Sequence, residues 1–209
     1  MKKLILLVAA VAGLGSLNAQ SIGKGAIQLG GTVGFNSTTD KPAQGSNNEE
    51  TWTDFNVTPR AAYFITDDIS VGLGIGFASS TYKADPNANE RTTTGLSFTP
   101  NVSYYKMFND QFGLFGSLGI GYTMGSTETK NVANSKTSNT GLNVGVTPGI
   151  IFFPADKWAI HAQLTNGLGY SSTSYKANDT DINTVSSFGL NLGLSNVAFG
   201  VSYFIGRGE

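Results

Sequence analysis

From Gly25 to Ile205 the chain repeats one pattern, segment after segment: apolar residues alternate with small or polar ones at every second position. A period of two belongs to β-strands whose two faces meet different surroundings. It excludes amphipathic helices, whose apolar stripe recurs every three to four residues. Any fold for this chain must therefore use many strands, each with one apolar face.

Eight such strands are expected. The first, 25–36, sets Ile27, Leu29, Val33 and Phe35 on one face. The second, 52–65, sets Phe55, Val57, Ala61, Tyr63 and Ile65 against Asp54, Asn56, Thr58 and Arg60. The third, 69–82, carries Val71, Leu73, Ile75 and Phe77 against Gly72, Gly74 and Gly76. The fourth, 94–107, carries Leu96, Phe98, Val102 and Tyr104 against Ser97, Thr99, Asn101 and Ser103. The fifth, sixth and seventh follow at 112–124, 141–153 and 158–171, the last with His161, Gln163 and Thr165 on its polar face. The eighth, 186–205, changes phase at Ser195-Asn196, the mark of a β-bulge.

The connections alternate in length. Thr66–Asp68, Asn109–Gln111 and Pro154–Lys157 read as tight turns, whereas 37–51, 83–93, 125–140 and 172–185 read as long polar loops. "TPRAAYF", "TPNVSYY" and "TPGIIFF" begin at Thr58, Thr99 and Thr147, spaced by 41 and 48 residues, and Phe199 takes the proline position before Tyr203-Phe204. The chain is thus a repeated hairpin. Proline cannot donate to a ladder, so Pro59, Pro100 and Pro148 predict a bulge or a bend at one common height.

What surrounds the apolar faces follows from composition. Only 13% of residues are charged, against roughly 25% in ordinary soluble domains. Residues 1–19 read as a secretory signal peptide, with Lys2 and Lys3 before an apolar stretch and a cut after Ala19. Leu17 is larger than the small residue usual before such a cut. Residues 20–209 form the mature domain. Without Lys2 and Lys3, eleven basic residues face fourteen acidic ones, a formal charge of −3, and no basic patch suggests a nucleic-acid partner. There is no cysteine, which excludes a disulfide framework and thiol chemistry. After the signal no apolar run approaches the ~20 residues of a membrane helix. A closed β-barrel is the remaining way to cross a bilayer.

Lipid rather than a soluble core is expected on the apolar face, against a lipocalin-like barrel or a sandwich. That face carries almost no charge except Lys106, near a strand end. Aromatic residues gather at both ends of the strands. Tyr63, Tyr104, Phe112, Phe152, Trp158 and Tyr203 lie near the short turns; Phe35, Trp52, Phe77, Tyr122, Tyr170 and Phe188 lie near the long loops. Two girdles about 25 Å apart bound a lipid-facing band.

On the signal, strand number, loop asymmetry, girdles and the closing strand "VAFGVSYFI", the chain resembles the small eight-stranded outer-membrane β-barrels of the OmpA transmembrane domain and OmpX type. The resemblance implies an all-β, eight-stranded antiparallel up-and-down transmembrane barrel. It also implies a monomer in the outer membrane of a Gram-negative bacterium, with lipid as its surroundings and the long loops outside. Such barrels typically end on an aromatic residue, whereas here Phe204 is followed by Ile205 to Glu209. No peptidoglycan-binding domain is expected after the barrel.

The polar face offers few groups for chemistry. His161 is the single histidine and lacks an inward carboxylate at its level, so a structural role is favoured over a catalytic one. Arg60 reads as a buried lumen arginine satisfied by hydroxyls, amides or an aromatic face. "DPNANE" at Asp85–Glu90 starts like a calcium loop but lacks the glycine at position six and the glutamate at twelve. Asp179 and Asp181 read as loop charge, and "GLGIGF" precedes no helix, so it is no nucleotide loop. No catalytic, cofactor-binding or metal-binding residue is assigned, no cofactor is expected, and the protein is not read as an enzyme. Phe64, Tyr105, Phe153 and Phe204 should point inward at one height, with Gly72, Gly74, Gly119 and Gly121 leaving room, so the interior should be plugged. The function expected is a structural or surface-interaction role, with extracellular ligands at the loops. The alternative is a small passive channel or carrier for small or hydrophobic molecules.

Overall fold

The computed structural model describes residues 21–41, 49–84, 89–133, 135–164, 167–177, 180–190 and 196–208. The expected signal peptide, Asp85 to Ala88, Thr165, Asp179 and Ser195 lie outside them.

The described residues form ten strands: β1 (Ile27–Asp40), β2 (Glu50–Phe64), β3 (Ile69–Lys83), β4 (Arg91–Met107), β5 (Phe112–Thr129), β6 (Thr137–Ala155), β7 (Trp158–Leu164), β8 (Leu168–Ala177), β9 (Thr180–Leu190) and β10 (Val197–Ile205). All pairings are antiparallel. Strands β1 to β6 each pair with the next, and β10 pairs with both β7 and β1, which closes a ring of eight. The hairpin β8–β9 continues upward from the ring: β6 pairs with β7 over Gly149–Ala155 and with β8 over Thr137–Val146. The seventh expected strand is therefore β7 and β8 in line, and the eighth is β9 and β10.

The short turns are set by side chains. Thr66 Oγ1 accepts from the N–H of Ile69 at 3.0 Å, and Asn109 Oδ1 accepts from Gln111 and Phe112 at 2.9 and 2.7 Å. Each side chain replaces a turn hydrogen bond that the backbone would otherwise leave open.

The other ends differ from expectation. Strand reaches into all four expected loops and takes up most of 125–140 and 172–185: β5 runs to Thr129, β6 starts at Thr137, and β8 and β9 approach to Ala177 and Thr180. Apart from Tyr175, Ile182 and Val185, these extensions are polar on both faces, so the alternation that marks a strand is missing from them. Cross-strand hydroxyl pairs join them instead, such as Thr93–Thr127 at 2.9 Å and Ser174–Thr184 at 3.0 Å. Trp52 is also displaced from its expected place. It shares the parity of Asp54 and Arg60, on the inner row, and packs on Tyr82 with centroids 5.2 Å apart. The other girdle residues lie on the outer row.

The repeated proline marks a gap, not a bulge. Pairing of β2 with β3 skips Thr58-Pro59 and resumes in the same register, and β4 with β5 skips Thr99-Pro100 likewise. At Thr147-Pro148 the partner of β6 changes from β7 to β8. In the fourth unit, pairing of β10 with β1 stops at Val201↔Gly31, before Phe199. In every unit the missing rungs face the following strand, while Pro59, Pro100 and Pro148 remain paired with the preceding one. Above Gly31, β1 pairs only with β2, and β9 pairs only with β8, among the described residues.

The buried core sits at the short-turn end. It consists of Ile22, Ala26, Phe64, Tyr105, Met107, Phe115, Ile151, Phe153, Ala159 and Phe204. Outer-row residues such as Leu73, Phe98, Val102 and Ile150 are exposed, as a lipid-facing band requires.

Candidate functional site: the lumen

The lumen is layered. Its floor is aromatic, and the four residues expected there are all in place: Phe64 and Phe204 are 0%, Phe153 1% and Tyr105 4% exposed. Phe204 meets Phe153 edge-on at 5.0 Å and Phe64 at 6.1 Å; Phe64 meets Tyr105 at 5.2 Å. The sequence reading did not single out Phe115, which stacks on Tyr105 at 5.5 Å, nor Ile151. Their signal was parity: Phe115 shares a face with Ser117, and Ile151 with Phe153.

Glycines make the room, as expected of Gly72, Gly74, Gly119 and Gly121. A Cβ on Gly72 would lie 2.9 Å from Asn101 Oδ1, and one on Gly74 3.3 Å from Arg60 Cγ. The tightest cases include two further positions. Gly149 lies under the Phe115 ring, 2.5 Å from a built Cβ, and Gly200 lies under the His161 imidazole.

The segments just before β1 and just after β10 seal the floor from below. Gly25 N–H donates to Phe64 O at 2.9 Å and Lys24 N–H to Asp67 Oδ1 at 2.9 Å, which holds Ile22 and Ala26 fully buried. At the other end Gly206 and Gly208 both adopt φ of 75°, a conformation that favours glycine, and turn the chain under the barrel. Arg207 then lies 3.6 Å from the centre of the Phe153 ring. Its guanidinium donates to Asp156 O at 3.0 Å and to Asp110 O, in two different short turns. Burial lowers its pKa, and Asp156 and Asp110 oppose that shift. Gly206 to Gly208, beyond the aromatic residue on which such a barrel is expected to end, thus form a cork.

Above the floor is a hydrogen-bonded layer. Tyr105 OH donates to Gln28 Oε1 at 2.9 Å, Gln28 Nε2 donates to Ser202 Oγ at 3.1 Å, and the hydroxyls of Ser103 and Ser117 meet at 2.6 Å. Gln28 carried no sequence signal beyond its polarity.

Arg60 and His161 come next. They are far apart in sequence, yet line one small chamber with Gln163 and Asn101. Arg60 is exposed to that chamber rather than buried as expected, and it forms no ion pair among the described residues. His161 Nδ1 is buried without a hydrogen-bond partner, and its ring meets Phe115 edge-on at 6.2 Å. From Arg60 a cavity of about 850 Å³ extends past Thr99, Asn143, Ser171 and Ser187. No aspartate or glutamate lines either space among the described residues. This arrangement can bind and orient a small molecule by hydrogen bonds. Among the described residues it shows no carboxylate–histidine–hydroxyl chain of the kind that activates a nucleophile.

The remaining sequence candidates are peripheral. Asp181 pairs with Lys176 at 3.2 Å on the surface. Of "DPNANE", only Asn89 and Glu90 are described. No group of three metal-ligating side chains occurs among the described residues.

Comparison with solved structures returns small barrels. The N-terminal β-barrel domain of Pseudomonas aeruginosa OprF is 11% identical, with 88% of this chain and 99% of that chain covered at a TM-score of 0.42. Neisserial surface protein A (NspA) is 14% identical, with 85% and 95% covered at 0.42. Ail, the attachment invasion locus protein of Yersinia pestis, is 18% identical, with 87% and 99% covered at 0.40. Comparison with curated proteins finds no match. The profile of the Outer membrane protein beta-barrel domain matches residues 6–203, so the ring of eight strands, with its outward apolar rows, belongs to a member of that family.

Proposed function

We propose that the protein is a plugged, monomeric barrel of a Gram-negative outer membrane, with a structural and surface-interaction role exercised through its polar hairpins. The observation that carries this reading is the closed floor beneath polar strands that extend beyond the girdles. Eight strands enclose a space that side chains can fill, and here Phe64, Tyr105, Phe153 and Phe204 fill it, with Arg207 beneath. The ladders of paired threonines and serines at the other end supply a broad hydrogen-bonding surface for an extracellular partner. The passive-channel reading is second. The cavity of about 850 Å³ favours it, and the floor opposes it.

Planar-bilayer recording tests the choice. The wild type should show little steady conductance; large, reproducible openings would overturn the plugged reading. Orientation is checked with epitope tags: tags in 130–138 should be reachable on intact cells, and tags at Asp67-Asp68 should not.

A further inference from the structure

We propose that Arg60 is the anchor of a carboxylate-binding site inside the lumen. This goes beyond the structural reading and does not depend on whether the barrel conducts.

The guanidinium is exposed to the cavity, unpaired by any carboxylate among the described residues, and held in place because its stem rests on Gly74, where a Cβ would lie 3.3 Å from Arg60 Cγ. The neighbours are neutral and of the right kind. Asn101 and Gln163 offer amide groups, and the His161 ring lines the same chamber. A planar carboxylate carries one negative charge and accepts two parallel hydrogen bonds from an arginine fork. One arginine among neutral donors matches that charge. A phosphate dianion would require a second cation, and none lines the chamber among the described residues.

Two ways in exist. The polar cavity leads up from Arg60 past Ser171 and Ser187. In addition, Arg60 pairs with Gly30, one residue below the point where β1 and β10 part at Gly31↔Val201. The lips of that seam are apolar and far more open than the rest of the outer rows: Val33 and Phe199 are 75% exposed and Phe35 73%, against 42% for Leu73 and 40% for Phe98. A water-soluble carboxylate would use the cavity. An amphiphile could place its head at Arg60 and its tail in the seam.

The test uses the full mature chain refolded in a non-ionic micelle, titrated with carboxyl-¹³C butyrate, carboxyl-¹³C decanoate and inorganic phosphate. Folding of each variant is checked by heat-modifiable gel mobility. Saturable carboxylate binding is expected, weakened roughly tenfold or more in Arg60→Gln, as the loss of one charge-assisted contact implies. Arg60→Lys should retain part of it. The imidazole of His161, the single histidine of the chain, gives a second reporter in the wild type and should shift with carboxylate. Binding of both acids assigns the cavity route; binding of decanoate alone assigns the seam. Either supports the site. Equal binding by Arg60→Gln, an unmoved histidine signal, or tighter binding of phosphate than of either acid overturns it.

Discussion

Replacing Phe204 with alanine removes the keystone of the floor. Phe204 is fully buried and touches both Phe153, edge-on at 5.0 Å, and Phe64 at 6.1 Å. Its backbone N–H donates to Lys157 O at 2.7 Å, so the strand end is held and cannot collapse into the space left. Truncating a buried phenylalanine where neighbours relax little costs about 3–5 kcal/mol. Of that, the two aromatic contacts supply about 0.5–1.5 kcal/mol each. Urea-driven unfolding from lipid vesicles, followed by tryptophan fluorescence, measures it; Trp158 packs on Tyr203, beside the substituted position. The same variant should show small openings in planar bilayers, and Phe153→Ala with it should enlarge them. A stability loss below about 1 kcal/mol, or conductance as silent as the wild type, would mean that Phe204 is neither packed nor blocking, which refutes the layered floor.

Three further outcomes follow from the same geometry. Arg207→Ala removes charged donors to two turn carbonyls and a cation–π contact, and should cost about 1–3 kcal/mol in the same unfolding assay, with leak conductance above that of the wild type. Gly200→Ala should destabilise by about 1–3 kcal/mol because the new methyl meets the His161 ring; adding His161→Ala should return part of that loss, and strict additivity of the two would contradict the contact. Asp68 lies in a short turn, where burial raises its pKa above 3.8, Lys106 lowers it and Asp67 raises it. Because the folded value is the higher one, its contribution is fully present below pH 3.8 and is lost as pH rises through the raised value. Asp68→Asn should therefore be more stable than the wild type at pH 7, with the gap closing as pH falls, as thermal melts at several pH values would show.

Parity along each strand is a local property, and the sequence by itself determined everything that parity decides. The inward set Phe64, Tyr105, Phe153 and Phe204, the lipid-facing rows and a ring of eight strands all follow from a period of two. Parity also held for Trp52, which the girdle argument misplaced by reading nearness to a loop as exposure to lipid. It was silent where both faces meet water, and there the polar ladders were taken for loops. Only the tertiary structure decided what lies beside what. The missing rungs at each Thr-Pro, the split of the last two strands and the seam above Gly31 depend on register between chains of residues distant in sequence. The meeting of Arg60 with His161 and the fit of Arg207 beneath Phe153 have the same origin: one fixes a height on the ring, the other a turn through two left-handed glycines, and neither is written in the alternation of any single strand.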